Sequence, residues 1–346
     1  MKIAHLSLDP WDGVWRRNQH LAAGLVDAGA VESVLYVEPP VGGLALRTRR
    51  QRPRPGVQVV TPPLLVPRSH GGYRVLAAFL KRAVRSADVL WVNDPLAGSG
   101  VLSVGLPALY DVTDDWRSMP QSAAQRARIV AAENELAGGA RTVVCSEMLA
   151  ARWRQRYGVE AAVVQNGVDV AAVRRAATQA LAGSAPHLVY VGTVHANRID
   201  VRLVATLAKI GTVHLVGPDH LEPDARRLLL SAGVLLHGAV PAEHVPSWLV
   251  SADVLLCPHV VDDFTRSLDA IKAHEYLATD RPIVATPASG FQSITAPGLF
   301  VVGPDGFADA VCTATSAGRR YIRVPPCTWR ERVDEFAAVL KEVAEA

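Results

Sequence analysis

The segment from Phe264 to Thr286 combines residue types that can bind a phosphate and a sugar diol. A helix beginning near Asp269 or Ala270 would present its first amide groups, at the positive end of its dipole, to a phosphate. Glu275 would follow more than one turn later, where its carboxylate can accept hydrogen bonds from a ribose. Composition alone favours an ordinary amphipathic helix followed by a strand, so the surrounding loops decide the interpretation.

Those loops carry small and polar residues wherever a predicted strand of the C-terminal half ends. Gly192 and Thr193 can face a diphosphate, and Arg198 follows shortly after them. Gly217 ends the next strand. The segment from His237 to Val240 follows the third and gives narrow backbone edges that could pair with a nucleobase. In open parallel sheets ligands bind beyond the carboxyl ends of the strands, so these residues are candidates for a donor-binding site.

The N-terminal half offers a candidate acceptor side. Its first predicted strand is followed by Gly13, which would let a ligand approach the backbone. Arg16 and Arg17 begin the next helix and could hold an anion. The turn does not contain G-x-G-x-x-G, which counts against a nicotinamide-dependent enzyme.

A carboxylate cluster follows the fifth predicted strand. Asp111, Asp114 and Asp115 precede Trp116, and such a group can hydrogen-bond hydroxyl groups or assist removal of a proton from one. A helix cap with a solvated turn is an equally good interpretation.

The elements that must position these residues alternate between short Val- and Leu-rich runs and longer amphipathic segments. This alternation predicts an α/β protein with buried parallel strands and helices on both faces. The first series of predicted strands comprises 3–8, 34–37, 57–60, 89–93, 108–111, 142–145 and 162–165. The second comprises 187–192, 213–217, 234–237, 254–258, 282–286 and 300–302.

Two such series in 346 residues predict two Rossmann-like domains, each with its own core. We expect domains at 1–169 and 187–327, joined by a linker at 170–186. A last helix covers 328–346, where Thr328 and Glu331 have capping-box spacing. Its apolar face, which includes Trp329 and Phe336, must pack against another element.

Composition excludes several protein classes. A net charge of +3 is too small for the concentrated basic surface of a nucleic-acid-binding protein. No apolar run approaches the roughly 20 residues that cross a bilayer, and the N-terminus does not have the pattern of a signal peptide. Four scattered cysteines form no metal or redox motif. We therefore expect a cytoplasmic protein with at most peripheral membrane contact.

The stretch from Arg47 to Pro55 contains five arginines. It is interpreted as a solvated, mobile loop, with a site for an anionic acceptor or a membrane surface as the alternative.

At these motifs the chain resembles glycosyltransferases of the two-domain GT-B fold, in particular the retaining, GT4-like (group 1) family that includes teichuronic-acid-type sugar transferases. The stretch from Lys272 to Val284 is similar to the family signature K-x-x-E-Y-L-A-x-G-x-P-V-V, with Asp280 in place of glycine. Asn166 to Asp169 match the N-G-V-D that closes the first domain of the family. Tyr190 to Thr193 match the opening of its second domain.

Two matches in the N-terminal half extend the resemblance over nearly the whole chain. Arg17 to Gln19 are similar to an R-x-Q element of the family. Asp111, Asp114 and Asp115 resemble its aspartates after the fifth strand.

The resemblance implies a GT-B fold in which two doubly wound domains face each other across a cleft, with the last helix packed back on the N-terminal domain. It also implies sugar transfer from a nucleotide diphosphate sugar to a hydroxyl acceptor, with retention at the anomeric carbon. Glu275 corresponds to the second glutamate of an E-x7-E motif and would bind the donor ribose. Ser267 occupies the position of the first glutamate, so Asp269 could contact a sugar hydroxyl instead.

The family elements that hold the diphosphate are altered here, and we assign their cationic role to Arg198 and Arg266. Lys272 could share this role or be structural. We expect no cofactor and no metal, because helix amides and arginines can stabilise the departing diphosphate. Three other functions stay open: a GT-B epimerase or hydrolase acting on the donor alone, a silent nucleotide-binding subunit, and, least favoured, a nicotinamide-dependent dehydrogenase.

Overall fold

A computed structural model describes residues 1–42, 48–64, 72–317 and 327–346. The described residues form two compact units, 1–165 with 329–346 and 166–328. Each unit is built on a sheet dominated by parallel strands, which confirms the predicted α/β class. Among the described residues, no helix is both long enough and apolar enough to span a membrane.

The first unit contains an eight-stranded sheet in the order β10-β9-β8-β7-β1-β2-β5-β4. All pairs are parallel except β4 with β5, which are antiparallel. The strands of this unit are β1 (Lys2–Leu6), β2 (Ser33–Val37), β3 (Val41–Gly42), β4 (Arg49–Arg54), β5 (Val57–Thr61), β6 (Pro63–Leu64), β7 (Val89–Val92), β8 (Ala108–Val112), β9 (Arg141–Val144) and β10 (Ala162–Val163). Strands β3 and β6 form a separate pair.

Helices cover both faces of this sheet, because its central strands are apolar on both sides. The helices of the first unit are α1 (Arg17–Asp27), α2 (Gly72–Val84), α3 (Pro95–Ser99), α4 (Ala123–Gly139), α5 (Glu147–Tyr157) and α13 (Trp329–Glu345).

The C-terminal helix α13 belongs to the core of the first unit. Its buried Val333 and Phe336 pack with Leu21 of α1 and with Trp91 of β7. Gly24 allows this close approach, because a Cβ atom at that position would collide with the Val333 side chain. The apolar face of the last helix therefore has its partner within the first unit.

The second unit contains a six-stranded sheet, all parallel, in the order β13-β12-β11-β14-β15-β16. Its strands are β11 (His187–Val191), β12 (Thr212–Val216), β13 (Leu235–Gly238), β14 (Val254–Cys257), β15 (Ile283–Ala285) and β16 (Leu299–Val301). Its helices are α6 (Val170–Arg175), α7 (Val201–Leu207), α8 (Pro223–Ser231), α9 (Val245–Ser251), α10 (Asp263–Ser267), α11 (Ile271–Leu277) and α12 (Pro304–Ala317). Two apolar clusters flank this sheet.

The boundaries between the units differ from the predicted ones. Residues 166–169, assigned to the first domain, belong to the second unit, because the Asn166 amide donates to the Asp269 carboxylate at 2.5 Å. The predicted linker at 170–186 belongs there as well: α6 packs against α9, and the Gln179 amide donates to Ser251 Oγ at 2.8 Å. Thr328 pairs with Val168 and also lies in the second unit.

The arginine-rich stretch is a second correction. The segment predicted as a mobile loop forms the edge strand β4, which pairs with β5. Arg47 lies outside the described residues. The sequence pattern missed this strand because its side chains are nearly all polar and exposed, so it has no apolar alternation.

Candidate functional site

Three glycines stand side by side after β11, β12 and β13. The Gly192 amide donates to the Val216 carbonyl, and the Gly217 amide donates to the Gly238 carbonyl, each at 2.8 Å. Gly192 and Gly217 have φ angles of 141° and 142°, which residues with a side chain rarely adopt. These loops thus pass close together at the carboxyl ends of the strands, where parallel sheets bind ligands. Thr193 follows at once and its carbonyl accepts from Tyr190 Oη at 3.1 Å.

Lys272, in the first turn of α11, reaches this edge. Its Nζ donates to Tyr190 Oη at 2.8 Å and lies 3.3 Å from His259 Nε2. A Cβ atom on residue 192 would lie 2.7 Å from the same Nζ. The structure therefore places a lysine ammonium group beside the glycine loop, as a phosphate site would require.

His259 is a buried residue of this cluster to which the sequence motifs assigned no role. Burial keeps its pKa well below the usual value, and the charges of Lys272 and Arg198 lower it further. An ammonium group only donates, so Nε2 must accept from Lys272, and Nδ1 must donate to Ser289 Oγ at 2.6 Å. A neutral histidine thus fixes the lysine in place. Its position directly after β14 was the signal available in the sequence.

Glu275 is half-buried on α11, one turn beyond Lys272. Its carboxylate makes no hydrogen bond and no ion pair with a described residue, in contrast to the carboxylates of Asp269 and Asp280. Burial raises its pKa to about 7, although the charges of Lys272 and His274 act in the opposite direction. A desolvated carboxylate without an internal partner can accept hydrogen bonds from a ligand.

Asp269 does not have the environment that contact with a sugar hydroxyl would require. It is buried, and its carboxylate accepts from the Asn166 amide and lies 2.9 Å from His274 Nε2. The Asn166 side chain also donates to the Asp269 carbonyl. Ala270 is the N-cap of α11, and its amide is directed to the Ser289 carbonyl at 3.4 Å rather than outward. Both residues therefore hold the start of α11 in place.

The short helix α10 is contacted by Arg198 and carries Arg266. The Arg198 guanidinium lies over the Phe264 ring of α10, 5.3 Å from its centroid, and Arg266 is two residues further along that helix. The Arg266 side chain is exposed. Ser267, at the position of the missing glutamate, is buried and its hydroxyl donates to the Phe264 carbonyl at 2.6 Å. Arg198, in the loop before α7, therefore contacts the helix that carries Arg266.

His237 and Val240 have internal packing partners. The His237 ring stacks on His214, and their Nε2 and Nδ1 atoms are 3.0 Å apart. The Trp248 ring lies 4.4 Å away, and Val240 packs against the apolar cluster beneath it. Burial lowers the pKa of His237. The His237 side chain is therefore engaged, and only the adjoining backbone edge is left for a base.

In the first unit, Arg17 has internal partners. Its guanidinium is buried, donates to both carboxylate oxygens of Asp111 at 3.1–3.2 Å, and donates to the Gln165 carbonyl at 3.1 Å. These bonds link α1 to β8 and to Gln165, and the acceptor-side role of Arg17 stays a prediction.

Asp115, predicted to assist proton removal, also has internal partners. Its buried carboxylate pairs with Arg152 and with Arg156, the latter at 2.6 Å, and accepts from Ser118 at 2.8 Å. Burial alone would raise the pKa of Asp115, but the hydrogen bonds and charge of Arg156 lower it. A carboxylate held by two guanidinium groups is a poor base.

The remaining acceptor-side candidates surround Asp9, at the end of β1. Arg16 lies 3.6 Å from Asp9 and 3.3 Å from Asp12, and Gly13 has open space around it. Burial raises the pKa of Asp9 to about 6, Arg16 lowers it in part, and the Asp114 carboxylate raises it. Asp9 and Asp114 are therefore close enough to interact.

Comparisons with known proteins agree with this geometry. Residues 11–172 match the family model described as glycosyltransferase family 4, and residues 185–316 match the model described as glycosyl transferases group 1. No curated protein sequence matches the chain significantly.

Solved structures with the same fold include a sucrose-phosphate synthase from Thermosynechococcus elongatus, with a TM-score of 0.75 and 19% identity over 99% of this chain and 98% of that one. HepE from Anabaena, solved with UDP and glucose, has a TM-score of 0.68 and 16% identity over 99% of both chains. The α,α-trehalose 6-phosphate synthase of Burkholderia multivorans has a TM-score of 0.62 and 16% identity over 99% of this chain and 95% of that one.

The likeness to teichuronic-acid-type transferases stays a prediction. The two family models, which together cover most of the chain, and the shared GT-B fold confirm the wider resemblance. The chain belongs to the group 1, family 4 glycosyltransferases.

Proposed function

We propose that this glycosyltransferase takes a sugar from a nucleoside diphosphate donor bound by the second unit and transfers it to a hydroxyl acceptor with retention and without a divalent metal or cofactor. The cytoplasm, where nucleotide sugars are made, is its proposed location. HepE was solved with UDP, glucose and UDP-glucose, which supports a nucleotide sugar as the donor class.

Glu275 is the observation that carries this proposal. It is a half-buried carboxylate with a raised pKa, and the described residues provide no partner for it. Burying such a group without a hydrogen bond is costly, so its retention is best explained by a ligand that supplies donors. The two hydroxyl groups of a ribose would do so.

The cationic side chains of the second unit suit the departing diphosphate. Lys272 lies at the Gly192 loop, Arg266 lies on α10, and the Arg198 guanidinium lies over the Phe264 ring of α10. Cations and amides fixed in place before the reaction stabilise a growing negative charge at little reorganisation cost. We assign these three residues to the leaving group. On the first unit, we assign the acceptor side to Gly13 and Arg16, with Asp9 added, and a catalytic role at the acceptor hydroxyl to Asp114.

Titration calorimetry with UDP, GDP and dTDP tests the donor site. Replacing Glu275 by alanine should weaken binding of the preferred nucleotide by about 1.5 to 3 kcal/mol, the value of one charge-assisted contact. Glu243→Ala is the matched control, because Glu243 is an exposed carboxylate of the same unit. Equal affinity in wild type and Glu275→Ala would reject the assignment.

A donor panel without acceptor separates the proposed transfer from donor-only chemistry. UDP-, GDP- and dTDP-sugars should stay largely intact when incubated with the protein alone. Epimerised or rapidly hydrolysed donor would indicate an epimerase or hydrolase. Absence of binding to any of the three nucleotides would indicate a silent subunit.

A further inference from the structure

The edge of the first sheet carries cations that the transferase site does not use. Strand β4 exposes Arg49, Arg50 and Arg52, and the neighbouring helix α2 and the residue after it provide Lys81, Arg82 and Arg85. None of these six makes an ion pair with a residue in the described ranges of the chain. Arg54, the last residue of β4, is by contrast neutralised by Asp27 at 2.5 Å. The six side chains thus form an uncompensated basic surface.

This surface encloses a groove with an apolar floor. A pocket of about 310 Å³ lies between the sheet and α2, with Arg50 and Arg82 among its lining residues. Its floor is formed by Leu35, Val60, Phe79 and Ala83. Arg50 lies opposite Val60 in the antiparallel ladder, so the strand register places its side chain on the same face as this floor.

A second pocket continues the groove along β4. It has a volume of about 560 Å³, shares Gln58 with the first pocket, and includes Arg52 and Arg54 in its lining. Among the residues that the structure describes, no aspartate or glutamate lines either pocket. Cations without an ion pair to a described residue therefore line both pockets: Arg50 and Arg82 the first, and Arg52 the second.

We propose that this basic groove binds the surface of a membrane containing anionic phospholipids. Phosphate is the group that paired guanidinium side chains recognise, and the apolar floor suits the glycerol and upper acyl region of a lipid. The six unpaired cations lie on β4 and near the end of α2, and one small anion could not contact all of them. They match an array of headgroups, to which each lysine or arginine adds a similar increment of binding.

Vesicle co-sedimentation of the full chain tests this surface. The protein should bind phosphatidylcholine vesicles containing about a third phosphatidylglycerol and should not bind pure phosphatidylcholine. Added salt should weaken the binding because it screens exposed charges. The double variant Arg50→Gln/Arg82→Gln should lose about 20- to 30-fold in partition coefficient, since roughly 1 kcal/mol per cation is about fivefold.

The matched control removes the same charge elsewhere on the first unit. Arg126 and Arg128 are exposed on α4 and make no ion pair with a described residue. Arg126→Gln/Arg128→Gln should bind vesicles as wild type does, and both double variants should keep the wild-type Tm. Glycerol 1-phosphate at millimolar concentration should not displace the protein from the vesicles.

Three results would overturn the proposal. These are absence of binding to the anionic vesicles, an equal loss in the two double variants, and displacement by glycerol 1-phosphate, which would identify a soluble phosphate ester as the ligand. Nucleotide binding by the second unit is measured separately, so a failure here leaves the donor site assignment intact.

Discussion

His274 Nε2 lies 2.9 Å from Asp269 Oδ1, and both side chains are almost fully buried. Asp269 also binds the Asn166 amide through its other oxygen, and His274 is hydrogen-bonded to Cys327. Asn166 and Cys327 lie at the two places where the chain passes between the units, after Gln165 and before Trp329. One buried pair therefore ties the two ends of the second unit to α11, the helix that carries Glu275.

The charge on His274 should make the stability of the second unit pH-dependent. Burial alone would lower the pKa of His274, but the bonds to Asp269 and Cys327 raise it to about 9 from 6.5. Because the folded pKa is the higher one, the stabilisation is complete below about pH 6.5 and is lost as the pH rises through about 9. We expect a contribution of about 3 kcal/mol at pH 6.

Replacing His274 by glutamine removes this titration. The Tm difference between wild type and His274→Gln should be roughly 6 to 12 °C larger at pH 6 than at pH 10. His244→Gln, at an exposed histidine of the same unit, should show no such change. A Tm difference that is the same at both pH values would show that His274 is neutral in the folded protein.

Replacing Gly192 or Gly217 by alanine should lower the stability of the protein by different amounts. At position 192 a Cβ atom meets the Lys272 ammonium group, the movable end of a side chain, whereas at position 217 it meets the rigid Gly192 carbonyl. Both substitutions also strain the backbone, by about 1 to 3 kcal/mol. Gly192→Ala should therefore fold but displace Lys272 and weaken nucleotide binding, while Gly217→Ala should lose much more stability.

Gly13→Ala is the comparison, because nothing lies within 4 Å of a Cβ atom there and its φ is not positive. Its Tm should be close to that of wild type. Differential scanning calorimetry of the three variants gives the order directly. Equal Tm values for Gly192→Ala and Gly217→Ala would contradict the close packing of the two loops.

The ion pair of Arg17 and Asp111 should be structural rather than part of acceptor binding. Arg17→Met leaves a buried carboxylate without its partner and should cost about 3 to 5 kcal/mol of unfolding free energy. The double variant Arg17→Met/Asp111→Leu removes both charges and should regain part of that loss. A single variant with unchanged stability and lost activity would restore Arg17 to the acceptor site.

Much of the fold could be predicted because its signals are local. Each central strand is a run such as Val89–Val92, buried on both faces, and each predicted strand is present. Strand β4 was missed because an edge strand exposes both faces and needs no apolar residues. The placement of Glu275 on a helix after β14 likewise followed from a contiguous motif.

The roles of charged residues were harder to predict, because they depend on partners far away in sequence. Arg17 and Asp111 are 94 residues apart, and Asp269 and Asn166 are 103 apart. Before folding, each is simply a polar residue near a predicted strand end. Only the tertiary structure separates a carboxylate neutralised by arginines, such as Asp115, from one without a partner, such as Glu275.

The last prediction concerns the leaving group and the metal. We expect sugar transfer to persist in excess EDTA and to depend strongly on Arg198 and Arg266. In the structure, Asp111 and Asp115 each bind arginine, so these carboxylates are already neutralised. Charge on the departing diphosphate must then fall on amides and cations, each worth about 2.7 to 4 kcal/mol, or 10² to 10³ in rate.

The measurement is release of nucleoside diphosphate from the preferred donor in the presence of an acceptor, with EDTA and then with added magnesium. Arg198→Ala and Arg266→Ala should each slow turnover 10²- to 10³-fold while donor binding changes less. Arg202→Ala, at an exposed arginine of α7, should keep wild-type turnover. Activity that EDTA abolishes and magnesium restores would indicate a metal-dependent transfer. Unchanged turnover in both variants would show that these two arginines do not stabilise the leaving group. That role would then fall to Lys272 and the Gly192 loop, which the structure brings together at the carboxyl ends of the strands.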